Sequence, residues 1–186
     1  PDDSFEDLVA MHKMALAIVL TSQGIPFLHA GSEFLRTKHG HDNSYNAKDA
    51  INKIDWSRKT RFYDVFRYVQ GLILLRKLHP AFRLRTTEEI RAKLRFLPMP
   101  EGHMVGFTIT DVEGEPWQQI VVIYNANIAP QTVALPGESW VVVVNRERAG
   151  TQPLETIKLP YVTVPALSVS VLADEVSFWR SIDGRG

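Results

Sequence analysis

The segment most informative about the fold reads Ile25-Pro26-Phe27-Leu28-His29-Ala30-Gly31. It is short and apolar at nearly every consecutive position, which is typical of a strand covered on both faces, as in a parallel sheet flanked by helices. Gly24 and Pro26 are the residues expected just beyond the end of a preceding helix. We therefore predict a buried parallel strand at residues 25–30.

Helices are predicted on both sides of this strand. Ser4 is a good N-cap for the first, whose apolar positions recur at helical spacing: Phe5, Leu8, Met11, Ala15, Ile18 and Val19. The second helix has apolar residues around much of its circumference and ends at His79-Pro80: Phe62, Val65, Phe66, Val69, Leu72, Ile73 and Leu75. One helix–strand–helix unit cannot pair both edges of a parallel strand. We therefore expect it to dock against strands that this chain lacks.

A polar stretch from Ser32 to Lys59 separates the predicted strand from the second helix. It is longer than an ordinary connection in a compact domain, which favours a functional loop or an unrecognised element.

From about Leu94 onward, short apolar runs alternate with turn signals such as Pro136-Gly137. This spacing predicts an antiparallel β-sandwich. The candidate strands are Leu94–Leu97, Val105–Thr110, Ile120–Tyr124, Thr132–Leu135, Trp140–Val144 and Val169–Leu172.

The composition is that of a globular protein, with 45% hydrophobic and 23% charged residues. Lys and Arg (21) balance Asp and Glu (21), so we expect neither nucleic acid nor an anionic membrane surface as a partner. There is no cysteine, and no apolar run approaches the roughly 20 residues of a membrane span. Because the sequence opens at Pro1 with neither an initiator Met nor a signal-peptide pattern, we expect it to begin inside a longer protein or after processing.

The run from Gly24 to Lys38 resembles the last barrel strand and following loop of type I pullulanases. The residues that continue the resemblance are Asp42-Asn43-Ser44-Tyr45-Asn46, then Asp49, Asn52, Asp55 and Trp56. These enzymes belong to the α-amylase superfamily. The resemblance implies that residues 1–84 are the last part of a (β/α)8 barrel and residues 85–176 an antiparallel C-terminal β-sandwich, with a tail at 177–186. The partner of the barrel part would be the remainder of the barrel, in the same or another chain.

The resemblance also implies an activity, the hydrolysis of α-1,6 linkages with retention in pullulan and in branched starch or glycogen oligosaccharides. The nucleophile and the acid of such enzymes follow earlier strands, and no segment here matches their motifs. We therefore predict no catalytic residue in this chain, no cofactor, and a structural role for Glu33 as the acceptor that fixes the turn after the strand.

Five residues of the polar stretch are candidates for glucan binding, because amide and guanidinium groups bind vicinal hydroxyls and an aromatic face stacks on a sugar. They are Arg36, Lys38, Asn43, Tyr45 and Asn46. The alternative is that this loop only packs against its neighbours, with the Asn residues capping local turns. His39 and His41 beside Asp42 are too few to predict a metal site.

A rival interpretation is a non-catalytic carbohydrate-binding or interaction module, in which Trp117 or Trp140 forms a sugar platform; a purely structural domain is a third. Trp140 is expected in the core and Trp117 partly exposed. We further expect the isolated chain to be loosely ordered, aggregated or docked on a partner at residues 1–84, while residues 90–175 stay folded.

Overall fold

The computed structural model describes residues 4–183. The first half is helical, and Ser4 caps the first helix as predicted, since its hydroxyl accepts a hydrogen bond from the Asp7 amide at 3.1 Å. The second predicted helix is also present and ends at Leu78, just before His79-Pro80. The helices of this half are α1 (Phe5–Thr21), α2 (Asp49–Asn52), α3 (Ser57–Arg61) and α4 (Tyr63–Leu78).

The second half is β-rich, and each of the six candidate segments forms a strand. It opens with helix α5 (Thr87–Lys93), whose N-terminus is closed by a capping box between Thr86 and Glu89. Its strands are β1 (Leu94–Phe96), β2 (Met104–Thr110), β3 (Gln119–Asn125), β4 (Gln131–Ala134), β5 (Trp140–Val144), β6 (Glu155–Ile157), β7 (Tyr161–Val164) and β8 (Ser168–Asp174).

These strands form two antiparallel sheets. The larger has six strands in the order β1-β2-β3-β8-β5-β6, and the smaller pairs β4 with β7. The central pair, β3 and β8, runs in register from Ile120 opposite Ala173 to Asn125 opposite Ser168. The predicted antiparallel β-rich half is confirmed.

The large sheet is the middle of three layers, because side chains alternate between the two faces of a strand. On β3, Ile120 and Val122 face the helical layer, while Val121 and Ile123 face the small sheet. The helical layer contributes Leu16 and Leu20 of α1, and α4 contributes its own buried face, to the same core as the sheet. The two halves of the chain therefore share one core.

The predicted strand at residues 25–30 is not formed in this structure. Its backbone N–H groups donate no hydrogen bond within residues 4–183, and Ile25 and Phe27 are 98% and 87% exposed. A parallel strand needs neighbours on its edges, and the described part of the chain offers none there. The expectation of a strand is therefore wrong for this chain by itself. The neighbouring strands that such a strand would pair with were already expected to be missing from this chain.

Helix α1 packs on a different face from the one its periodicity indicated. Leu16, Ala17 and Leu20 are buried, whereas Leu8 and Ile18 are exposed. Because the helix carries apolar residues on most of its circumference, spacing alone could not identify the face that packs on the sheet.

Residues 177–186 were predicted to be a tail. In the structure, residues 177–183 belong to a helix instead, α6 (Glu175–Asp183). Phe178 of α6 is buried against Trp117, with ring centroids 5.6 Å apart. Up to Asp183 this segment is therefore part of the β-rich half, and residues 184–186 lie outside the described residues.

Candidate functional site

The turn at Gly31 opens the polar loop. Gly31 has φ +92°, and an added Cβ there would lie 2.8 Å from the Arg36 Cβ, so glycine is required. The Gly31 amide donates to Glu33 Oε2 at 2.9 Å, and the Arg36 amide donates to the Gly31 carbonyl at 2.9 Å. Glu33 therefore fixes the turn as a structural acceptor, as the sequence predicted.

Arg36 and Lys38, two of the predicted glucan ligands, point their charges into the loop itself. Arg36 Nη1 donates to the Ala30 carbonyl at 3.1 Å and its Nη2 donates to the Asn52 carbonyl. The Lys38 ammonium donates to Asn52 Oδ1. The structure thus joins these two residues to α2.

Asn43, Tyr45 and Asn46, the other three predicted ligands, lie exposed at the tip of the loop. A turn closed by the Ala47 amide and the Ser44 carbonyl at 3.1 Å has Tyr45 and Asn46 as its two central residues. The Tyr45 side chain is 84% exposed. The five candidates therefore divide into an internal pair and an exposed trio.

An exposed aromatic residue, Trp56, stands at the end of the loop and was not among the predicted ligands. Its ring centroid is 5.5 Å from that of buried Phe34. The signal that could have found it was a large aromatic residue in an otherwise polar stretch. Trp56 lines a cavity of about 590 Å³ together with Arg36, Thr37, His39, Ala50, Lys53, Ile54, Asp55 and Arg58.

Asp55, in the wall of this cavity, binds the first residue of α3. Its carboxylate accepts hydrogen bonds from the Ser57 hydroxyl at 2.6 Å and the Ser57 amide at 3.0 Å. These bonds, the hydroxyl first, hold the pKa of Asp55 below its ordinary value, with smaller help from Arg58 and Lys53. Asp55 is therefore a charged acceptor for the hydroxyl and amide of Ser57.

No group of three or more His, Cys, Asp and Glu side chains within residues 4–183 is arranged to hold a metal ion. The same part of the chain contains no helix of the length and apolarity that crossing a bilayer requires.

The two tryptophans considered for a sugar platform are both inside the protein. Trp140 is 1% exposed, as predicted, but Trp117 is only 2% exposed, so its expected partial exposure is wrong. Trp117 is covered because the His79 ring stacks on it at 3.6 Å and Phe178 packs beside it. Neither ring is available to stack on a sugar.

Comparison with known proteins gives consistent matches. The family model "Pullulanase, all-beta domain" matches residues 90–148. A pullulanase of Bacillus subtilis (strain 168) is 44% identical over 116 residues, which are 62% of this chain and 16% of that protein.

Solved structures match over nearly the whole chain. A pullulanase from Bacillus acidopullulyticus superposes with a TM-score of 0.89 and 42% identity, covering 94% of this chain and 21% of that one. A pullulanase from Anoxybacillus sp. LM18-11, complexed with maltotetraose, gives a TM-score of 0.84 and 34% identity, covering 92% and 24%. The chain thus spans less than a quarter of the length of these three relatives.

In fold and sequence, this chain is similar to starch-debranching enzymes. Within that class, the resemblance to the C-terminal part of a bacterial pullulanase is confirmed.

Proposed function

We propose that this chain is the last part of the (β/α)8 barrel and the C-terminal β-domain of an enzyme that hydrolyses α-1,6 linkages in pullulan and branched α-glucans with retention. In this proposal the chain supplies a substrate-binding loop and a stabilising β-domain. The two catalytic carboxylates belong to the rest of the barrel. The observation that carries the proposal is the exposed, unpaired apolar segment at 25–30, immediately before a pullulanase-like loop.

The surroundings of this segment support a missing barrel. A cavity of about 820 Å³ lies beside it and is lined by Leu20, Pro26, Leu28, Ile73 and other residues. Leu74 and Leu78 of α4 are also exposed. Leaving one large apolar side chain in water forgoes about 1.5–3 kcal/mol, so covering strands and helices would stabilise the segment.

The exposed trio supports glucan binding by the loop. The Tyr45 ring has a free face for stacking on a sugar, and the Asn43 and Asn46 amides offer donors and acceptors to hydroxyl groups. The related pullulanase from Anoxybacillus was solved in complex with maltotetraose. We extend that chemistry, binding of an α-glucan, to this loop.

The retaining mechanism needs a nucleophile and an acid about 5–5.5 Å apart. The carboxylate of Glu33 is bonded to the Gly31 amide, and that of Asp55 is bonded to Ser57. Both have structural partners, which supports placing the catalytic pair outside this chain.

The first test is activity of the chain alone. Pullulan incubated with the purified chain should yield no new reducing ends, because the catalytic pair is absent. Hydrolysis that persists through purification and disappears in Glu33→Gln or Asp42→Asn would refute the proposal.

The second test concerns the loop in a longer enzyme that contains this sequence. Tyr45→Ala or Asn43→Ala should lower kcat/KM for pullulan by about tenfold to a hundredfold, the loss of one or two good contacts. Lys48→Ala, an exposed neighbour outside the trio, is the control. Unchanged kinetics in both loop variants would leave the loop with a packing role only.

A further inference from the structure

Asn52, the last residue of α2, directs its side-chain amide and its backbone carbonyl at the loop, while its backbone amide donates to the Lys48 carbonyl at the start of the helix. Its side-chain Nδ2 donates to the Ser44 carbonyl at 2.8 Å and to the Ala47 carbonyl at 2.9 Å. Its Oδ1 accepts from the Lys38 ammonium, and its backbone carbonyl accepts from Arg36 Nη2. One half-buried side chain therefore satisfies groups from two distant parts of the loop.

The two carbonyls bound by Asn52 belong to the first and last residues of the turn that presents Tyr45 and Asn46. The turn itself has one backbone hydrogen bond, from the Ala47 amide to the Ser44 carbonyl at 3.1 Å. The Tyr45 side chain makes no hydrogen bond or ring contact within residues 4–183 that could hold it in place. The direction in which the turn presents its two side chains therefore depends on Asn52.

We propose that Asn52 is the positioning residue of the glucan-binding turn, and that Lys38 and Arg36 act through Asn52 instead of contacting the glucan. The Lys38 ammonium fixes the orientation of the Asn52 side-chain amide. Only the amide oxygen can accept a hydrogen bond from the ammonium, and only the amide nitrogen can donate to the two carbonyls. The binding of a glucan by the turn rests on the proposed function. The bracing of the turn, by which we mean the hydrogen bonds from Asn52 to the Ser44 and Ala47 carbonyls, does not depend on that function.

The bracing is tested on this chain by amide hydrogen exchange measured by NMR. In Asn52→Ala the Ala47 amide should exchange about tenfold faster, as expected for the loss of two hydrogen bonds. Asn52→Asp should behave in the same way, since it keeps an acceptor for Lys38 but loses both donors. Lys53→Ala, the exposed next residue, is the matched control and should leave the Ala47 amide unchanged.

Amides of β3 and β8 report whether the variants fold, and they should keep their protection. An Ala47 amide that exchanges at the same rate in Asn52→Ala, Asn52→Asp and the control would overturn the proposal. So would loss of protection throughout the sheet in both variants, because Asn52 would then support the whole fold and not the turn.

The positioning role is tested separately by kinetics in a longer enzyme that contains this sequence. Asn52→Ala should raise KM for pullulan about tenfold while kcat changes little, whereas general unfolding would lower the apparent kcat and leave KM alone. A loosened turn with unchanged KM would contradict glucan binding by the turn and leave the bracing intact. The two failures are therefore distinguishable.

Discussion

At the scale of single residues, individual contacts fix how the helices meet each other and the β-domain. The side chain of Arg76 on α4 joins the two long helices, because it donates to the Leu20, Ser22 and Gly24 carbonyls at the end of α1. The last carbonyls of a helix have no partner within the helix, and Arg76 supplies one from outside it. Burial lowers the pKa of the Arg76 guanidinium, and the three carbonyl oxygens stabilise its charge by accepting hydrogen bonds.

Gly71 of α4 lies directly against the backbone of the β-rich half, which gives a prediction. An ideal Cβ at this position would lie 1.9 Å from the Ala149 carbonyl oxygen. Gly71→Ala should therefore lower the free energy of unfolding by about 1–3 kcal/mol, although alanine is the better helix former.

Urea denaturation of the chain measures this effect. Gly102→Ala is the control, because nothing lies within 4 Å of its added Cβ and its φ is not positive. Equal or greater stability of Gly71→Ala would mean that α4 and the loop at Ala149 do not approach as described.

At the scale of elements, the strands were more predictable than the packing of the helices. Five of the six predicted strands carry several β-branched residues, as in Trp140–Val144, which the sequence displays directly, and Leu94–Leu97 is the exception. Strands β6 and β7 were missed because they are only three and four residues long and stand between prolines. The pairing that a strand at residues 25–30 would need depends on groups outside the local sequence.

In the loop, too, the chemistry of the residues was predictable from the sequence, whereas their contacts were not. The sequence identified the residues with the right chemistry, but it could not separate Tyr45, which faces solvent, from Lys38, which binds Asn52. That distinction depends on a contact across 14 residues. Asn52 is one of the residues that carry the family resemblance, but nothing in the local sequence indicated that it binds the turn at Ser44 and Ala47.

The two apolar faces of α1 give a prediction at this scale. Leu20 is 3% exposed in the shared core, so Leu20→Ala should cost about 2–5 kcal/mol of stability in the chain. Ile18 is exposed on the other face, so Ile18→Ala should change the stability by no more than about 0.5 kcal/mol.

Urea denaturation of both variants compares the two faces. An Ile18→Ala variant as destabilised as Leu20→Ala in the chain alone would contradict the assignment of the faces.

At the scale of the whole molecule, the shared core changes the expectation for the isolated chain. The sequence suggested that residues 90–175 fold independently of residues 1–84. In the structure, Val122 and Val171 of the large sheet share a core with Leu16 and Leu72 of the helices. Removing the helices would expose this face of the sheet, so we now expect the helices to stay ordered with it and the segment at 25–30 to be the open part.

Amide hydrogen exchange at residues 25–30, in this chain and in a longer enzyme that contains it, tests most directly whether strands outside this chain complete the barrel. None of these amides donates a hydrogen bond within residues 4–183. In the chain alone they should exchange almost as fast as in an unstructured peptide, while α1, α4 and the large sheet stay protected. In the longer enzyme the amides that pair with neighbouring barrel strands should be strongly protected. Strong protection in a proven monomer of this chain, or fast exchange in both proteins, would contradict a missing barrel.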